Sequence, residues 1–89
     1  MTIDDERCPA RDVAVEAVTL GDETVLYDER SGTTMLLNPS ASVVWLLLDP
    51  NLTVSQLISR VSEIFPAVES LAADIRHTLL EFQRVNLVT

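Results

Sequence analysis

The sequence predicts an α+β domain, a three-stranded antiparallel sheet followed by three helices (βββααα), with a winged helix-turn-helix-like helical half. Three observations predict it. Short β-branched runs separated by turn signals fill the first part of the chain. Two amphipathic stripes and one almost wholly apolar helix fill the second. Between them, Leu36-Leu37-Asn38-Pro39-Ser40 takes a strand straight into a capped helix without a loop. That junction sets a strand edge beside an apolar groove, an arrangement that can accept a peptide.

The elements follow in order. Residues 1–12 read as a flexible N-terminal arm, and residues 13–89 as the folded domain. Residues 13–20 hold three Val and one Thr, a β-branched content that predicts a first strand. Gly21-Asp22 is a turn signal, and residues 24–28 form a second strand. Asp28-Glu29-Arg30-Ser31-Gly32 is a hairpin loop in which Gly32 is free to take positive φ. Residues 33–37 are the third strand. Alternation puts Met35 and Leu37 on one face and Thr34 and Leu36 on the other. Which of the two faces the core depends on hairpin register.

Asn38 suits an N-cap and Pro39 the first helical position. The first helix runs to about Leu48 and stops at Asp49-Pro50-Asn51. Ala41, Val44, Trp45 and Leu48 share one face, while Val43, Leu46 and Leu47 make a second apolar face. A helix apolar nearly all round is buried on two sides, so it is expected at the centre with Trp45 as core anchor. Thr53 and Gln56 match a capping box, and Val54, Leu57, Ile58, Val61 and Phe65 form the stripe of a second helix ending at Pro66. A third helix is expected over 68–85, with Val68, Leu71, Ala72, Ile75, Leu79 and Phe82 as its stripe. Asn86 can stop it in the left-handed conformation, with Leu87-Val88 folding back.

Bulk properties exclude several functions. At 89 residues the chain is one domain, and 47% hydrophobic content sets it apart from disordered chains. The longest purely apolar run, 43–48, is far too short to cross a bilayer. The first eleven residues are acidic and lack an apolar h-region, so no signal peptide is read there and a cytoplasmic location is expected. Net charge is −8, from 14 acids against 6 arginines with no lysine. Phosphate backbones need a basic face, so nucleic acid is not an expected partner. Cys8 is the sole cysteine, which rules out an internal disulfide.

Chemistry is sparse. His77 is the only histidine and sits mid-helix, and one histidine with one distant cysteine makes no zinc set. Glu16, Glu23, Asp28 and Glu29 lie near the sheet but lack the ligand spacing of a calcium loop. With only Gly21 and Gly32 there is no phosphate-binding glycine loop. The chain therefore reads as non-catalytic, with no metal and no cofactor. Two other patterns are present. The second and third helices resemble a helix-turn-helix regulator, but Arg76, His77 and Arg84 are offset by Glu69, Asp74 and Glu81. Glu69-Ser70-Leu71 looks like the serine motif of an acyl carrier protein, but strands precede it and Ser70 fits a capping position.

Asp28-Glu29-Arg30-Ser31-Gly32, followed by Leu37-Asn38-Pro39-Ser40-Ala41 and Trp45, then Ala73-Asp74-Ile75 and Asn86-Leu87-Val88, resembles the PqqD-like family. These are the recognition elements (RRE domains) that bind precursor peptides in pathways to ribosomally made, modified peptides (RiPPs). The similarity covers roughly residues 18–88. The chain departs from the family at Asp49-Pro50-Asn51, where Asp-Gly is usual, and at Asn86, where Gly is usual. Spacing and acidity look most like the free-standing partner of the lasso-peptide leader peptidase. A pyrroloquinoline quinone-type peptide chaperone working with a radical SAM enzyme is the close alternative.

The resemblance implies that a precursor's leader peptide adds as a strand to the third strand and lies against the third helix. Thr33, Thr34, Met35, Leu36 and Leu37 are then the binding strand. Leu71, Asp74, Ile75, Thr78 and Leu79 are the binding residues of the helix, with the apolar ones doubling as core. Arg76 reads as a solvated helix charge that could also grip an acidic leader residue. About four backbone hydrogen bonds at roughly 1 kcal/mol each give weak affinity, so apolar anchors supply the rest. The expected partners are the leader peptide and a leader peptidase or other modifying enzyme, and the exposed edge also allows a homodimer.

Overall fold

The computed structural model describes residues 6–66 and 69–88. Six elements follow in order: β1 (Val15–Leu20), β2 (Glu23–Asp28), β3 (Thr33–Leu37), α1 (Pro39–Leu47), α2 (Val54–Ile64) and α3 (Leu71–Arg84). The strands form one antiparallel sheet in the order β1-β2-β3, so the fold is the expected α+β arrangement.

Register decides the face that alternation left open. Leu26 stands opposite Met35 and Thr24 opposite Leu37. Leu26 and Leu37 are buried, so Thr33, Met35 and Leu37 look toward the helices and Thr34 and Leu36 look outward. Gly21 opens the two-residue β1–β2 turn at φ 65°, the first position of a type II′ turn, where glycine is required. Only β2 and β3 pack against α1. β1 extends past the helical layer, which is why it is exposed from Glu16 to Leu20.

The helix boundaries follow their caps. Asn38 Oδ1 accepts the Ala41 amide at 2.9 Å and the Ser40 hydroxyl at 3.1 Å. The capping box of α2 is complete: the Gln56 amide donates to Thr53 Oγ1 at 3.1 Å, and the Thr53 amide donates to Gln56 Oε1 at 2.9 Å. Helix α1 touches β2, β3, α2 and α3 and is the centre of the molecule. Trp45, 2% exposed, meets the Phe82 ring edge-on at 5.4 Å. The second apolar face of α1 is covered only in part, because Leu46 remains exposed while Val43 and Leu47 are half-buried.

Helix α3 begins at Leu71, later than its periodicity suggested, with Ser70 at the N-cap. Val68 lies outside the described residues. Its C-terminus is a Schellman motif. Asn86 takes φ 61°, its amide donates to Gln83 O at 3.1 Å, and the Leu87 amide donates to Phe82 O at 2.9 Å. Leu87 and Val88 are thereby folded back and buried.

The sequence expects a flexible arm over residues 1–12. Residues 1–5 lie outside the described residues, but from Glu6 to Asp12 the chain is laid against the helical half. The Cys8 amide donates to Leu52 O at 2.8 Å, the Val54 amide to Glu6 O at 2.9 Å, and the Asp12 amide to Leu87 O at 3.0 Å. Arg7 and Arg11 form bridges with Thr53 and Val88. Cys8 is 3% exposed in the core. Backbone pairing, which polar residues perform as well as apolar ones, holds this segment, so composition alone could not reveal it.

Candidate functional site

β3 is an edge strand, and among the described residues nothing pairs with its outer side. Its core-facing half borders a groove of about 630 Å³. Thr33, Thr34 and Met35 form one wall, and Val85 to Val88 form the opposite one. Leu26 lies at its base, and Asp12, Asp28, Arg30 and Ser31 close the end nearest the hairpin. The groove is open, apolar along its length and ionic at one end.

The ionic end is built by Arg30. Its Nε and Nη2 donate to the two carboxylate oxygens of Asp28 at 3.1 and 3.3 Å, its Nη1 to Asp12 Oδ2 at 3.1 Å, and its Nη2 to Asn86 O at 2.9 Å. One guanidinium thus ties together the hairpin, the arm and the C-terminal tail. Its hydrogen bonds hold the Asp28 carboxyl below the usual carboxylate range, and Asp28 in turn raises the Arg30 pKa. Asp28 also accepts the Arg30 amide at 3.0 Å, the local turn that lets the side chain fold back. Outside this end, Glu29 is pushed above its ordinary pKa, first by a hydrogen bond with Glu16 and then by that neighbour's charge.

Among the residues singled out from sequence, the structure brings Thr33, Thr34 and Met35 to the groove. Leu36 is 62% exposed on the outer face, and Leu37 is buried beneath α1. Leu71, Ile75 and Leu79 are at most 5% exposed, so they act through the core that backs the site. Asp74 and Thr78 hydrogen bond within their own helix: Ser70 Oγ donates to Asp74 Oδ2 at 3.0 Å and Thr78 Oγ1 to Asp74 O at 2.8 Å. None of the five α3 residues lines the groove.

Sequence reasoning misses the tail wall, although Asn86-Leu87-Val88 reads as a fold-back, and it misses Asp12 and Arg30 as the ionic end. The Asp28-x-Arg30 spacing was the signal available for Arg30. Asp12 had none, because it reaches the site only through the arm. Among the described residues no group of three or more His, Cys, Asp or Glu side chains could hold a metal ion. No helix among them is long and apolar enough to cross a membrane.

Comparison with known proteins agrees with this architecture. The structure resembles that of TbiB1, solved in complex with the TbiA(beta) leader peptide, with a TM-score of 0.77 and 22% identity over 89% of this chain and 93% of that one. No curated protein matches the chain. The family described as coenzyme PQQ synthesis protein D (PqqD) matches residues 23–88, from β2 through the folded-back tail. A match over that span includes the hairpin, the β3–α1 junction and the C-terminal wall, and the chain belongs to the PqqD family.

Proposed function

We propose that this protein is a non-catalytic recognition element that captures the leader of a precursor peptide by strand addition to β3 and presents it to a maturation enzyme. The observation that carries the reading is the unpaired β3 edge bordering a groove of about 630 Å³ between Met35 and the Leu87-Val88 tail. Edge pairing supplies register and part of the affinity. Alternate side chains enter the groove between Met35 and the Leu87-Val88 tail. The related fold of TbiB1 was solved with a leader peptide, which supports a ligand of the same kind here. The receiving enzyme in this reading is a leader peptidase of the lasso-peptide type.

Family membership favours a second reading of the same site, a peptide chaperone acting with a radical SAM enzyme in quinone-cofactor synthesis. The helix-turn-helix alternative finds less support. Arg84 is held by Glu81 at 2.8 Å, so the end of α3 offers no free cationic face.

Titration of the labelled protein with synthetic leader segments from precursor genes neighbouring its own tests the proposal. The amide resonances of residues 33–37 and 85–88 are expected to move together. A leader with alternate backbone amides methylated should lose binding, because the edge ladder can no longer form. Binding that leaves residues 33–37 unmoved, or that tolerates methylation in both registers, refutes strand addition.

A further inference from the structure

The outer face of the sheet carries a continuous apolar row. Register sets Val18 opposite Val25 and Val25 opposite Leu36, so three apolar side chains stand abreast on the side away from the helices. Val18 is 56% and Leu36 62% exposed. Directly opposed side chains on one face of a sheet touch and stabilise each other. Leu36 has such a neighbour on its β2 side and, because β3 is the edge, none among the described residues on its other side.

A strand paired to β3 places one residue abreast of Leu36 on this outer face. The residues before and after it turn to the opposite face, beside Met35 and Leu37, and the one beside Met35 stands over the groove. Building on the strand-addition reading, we infer that the leader is read on both faces of the sheet at once. The residue abreast of Leu36 is apolar, β-branched or aromatic, and it extends the row Val18–Val25–Leu36 to four. Recognition then requires two consecutive apolar residues in the leader, one for each face, rather than a simple apolar–polar alternation.

The outer face also argues against a second copy of this chain as its occupant. Glu16 and Glu23 stand on it, in register with Tyr27 and Leu20, and Glu29 neighbours Glu16. Arg30 is committed to Asp12 and Asp28. Stacking two such faces opposes carboxylates to carboxylates.

The test is a random dodecapeptide display library selected on the full folded chain, with hits retained when they shift the amide resonances of residues 33–37. Retained peptides are expected to share two adjacent apolar residues. For one such fluorescein-labelled peptide, Leu36→Thr should weaken binding about fivefold, and serine at the outer apolar position of the peptide should do the same. The two losses should not add, because they report one contact. Leu36 is exposed and threonine is a good strand former, so the variant keeps its fold. Leu36→Glu should weaken binding further and be rescued by lysine at the outer peptide position. Retained hits that alternate strictly and bind Leu36→Thr as tightly as the parent overturn two-faced recognition while leaving strand addition intact. A selection with no hit that moves residues 33–37 overturns both. Concentration-dependent dimerisation abolished by Leu36→Glu assigns the row to self-association and also overturns the inference.

Discussion

Replacing Trp45 by alanine tests whether α1 is the element on which both layers depend. The side chain is 2% exposed and meets Phe82 at 5.4 Å and 87°. A buried aromatic of this size removes about 150–250 Å² from water, or about 4–6 kcal/mol at ~25 cal/mol per Å². Alanine keeps part of that buried area and the unfolded chain already hides some of it, so the expected measured cost is about 3–5 kcal/mol. A domain of this length has a stability of about 4–13 kcal/mol, so the substitution removes a large share of it. The melting temperature should fall by some 4–8 °C for each kcal/mol. Urea unfolding followed by far-ultraviolet circular dichroism is the assay, because the variant loses its only tryptophan fluorophore. Combining Trp45→Ala with Phe82→Ala should reveal a coupling of about 0.5–1.5 kcal/mol from the edge-on ring contact. If the alanine variant fails to fold, Trp45→Phe keeps a ring at the site and should lose less. A Trp45→Ala protein within about 1 kcal/mol of the parent, or a cycle with no coupling, would show that the helical layer is held elsewhere.

Three further outcomes follow from particular contacts. Burial raises the Cys8 pKa, and the docked arm carries this residue into the core, so labelling by a thiol reagent at pH 8 should be at least about tenfold slower than in urea; equal rates would mean the arm is not docked. Asn86 holds φ 61°, so Asn86→Val should cost roughly 1–2 kcal/mol while Asn86→Gly should be nearly neutral in urea unfolding; a neutral valine variant would contradict the Schellman geometry. Glu29 binds its proton more tightly in the folded chain than at its ordinary 4.5, so its contribution is fully present below pH 4.5 and is lost as pH rises through the folded value. Glu29→Gln should therefore raise the urea midpoint at pH 7 and flatten the fall in stability just above pH 4.5, and a lowered midpoint would contradict repulsion from Glu16.

What sequence could show here was whatever local chemistry decides. Asn38-Pro39, the Thr53–Gln56 capping box and Asn86 each satisfy or close a helix end within a few residues, and each sits where its pattern placed it. Alternation in β3 separated its two faces but could not say which was inward. That choice depends on the pairing of Leu26 with Met35 across the hairpin, which is a tertiary fact. The arm escaped notice for a related reason. Glu6 to Asp12 binds through its backbone and through single long-range contacts such as Arg11 Nη1 to Trp45 O at 3.2 Å, and neither leaves a period in the sequence.

The position of the groove wall follows from how α3 uses its side chains. A helix with a single apolar stripe can commit it once. Leu71, Ile75, Leu79 and Phe82 are all buried in the core, and the flank that remains offers Asp74 and Thr78, already hydrogen bonded along the helix. An apolar wall facing β3 therefore has to come from where the chain leaves the helix. The left-handed turn at Asn86 reverses the backbone, and the Arg30 guanidinium grips the Asn86 carbonyl at 2.9 Å. The Leu87–Asp12 backbone bond pins the tail from the other side. Leu87 and Val88 are thereby carried back toward Met35. The residues that terminate α3 are also those that shape the site, so the hairpin arginine, the arm aspartate and the C-terminal stop act as one structural unit even though they are 18 to 74 positions apart in sequence.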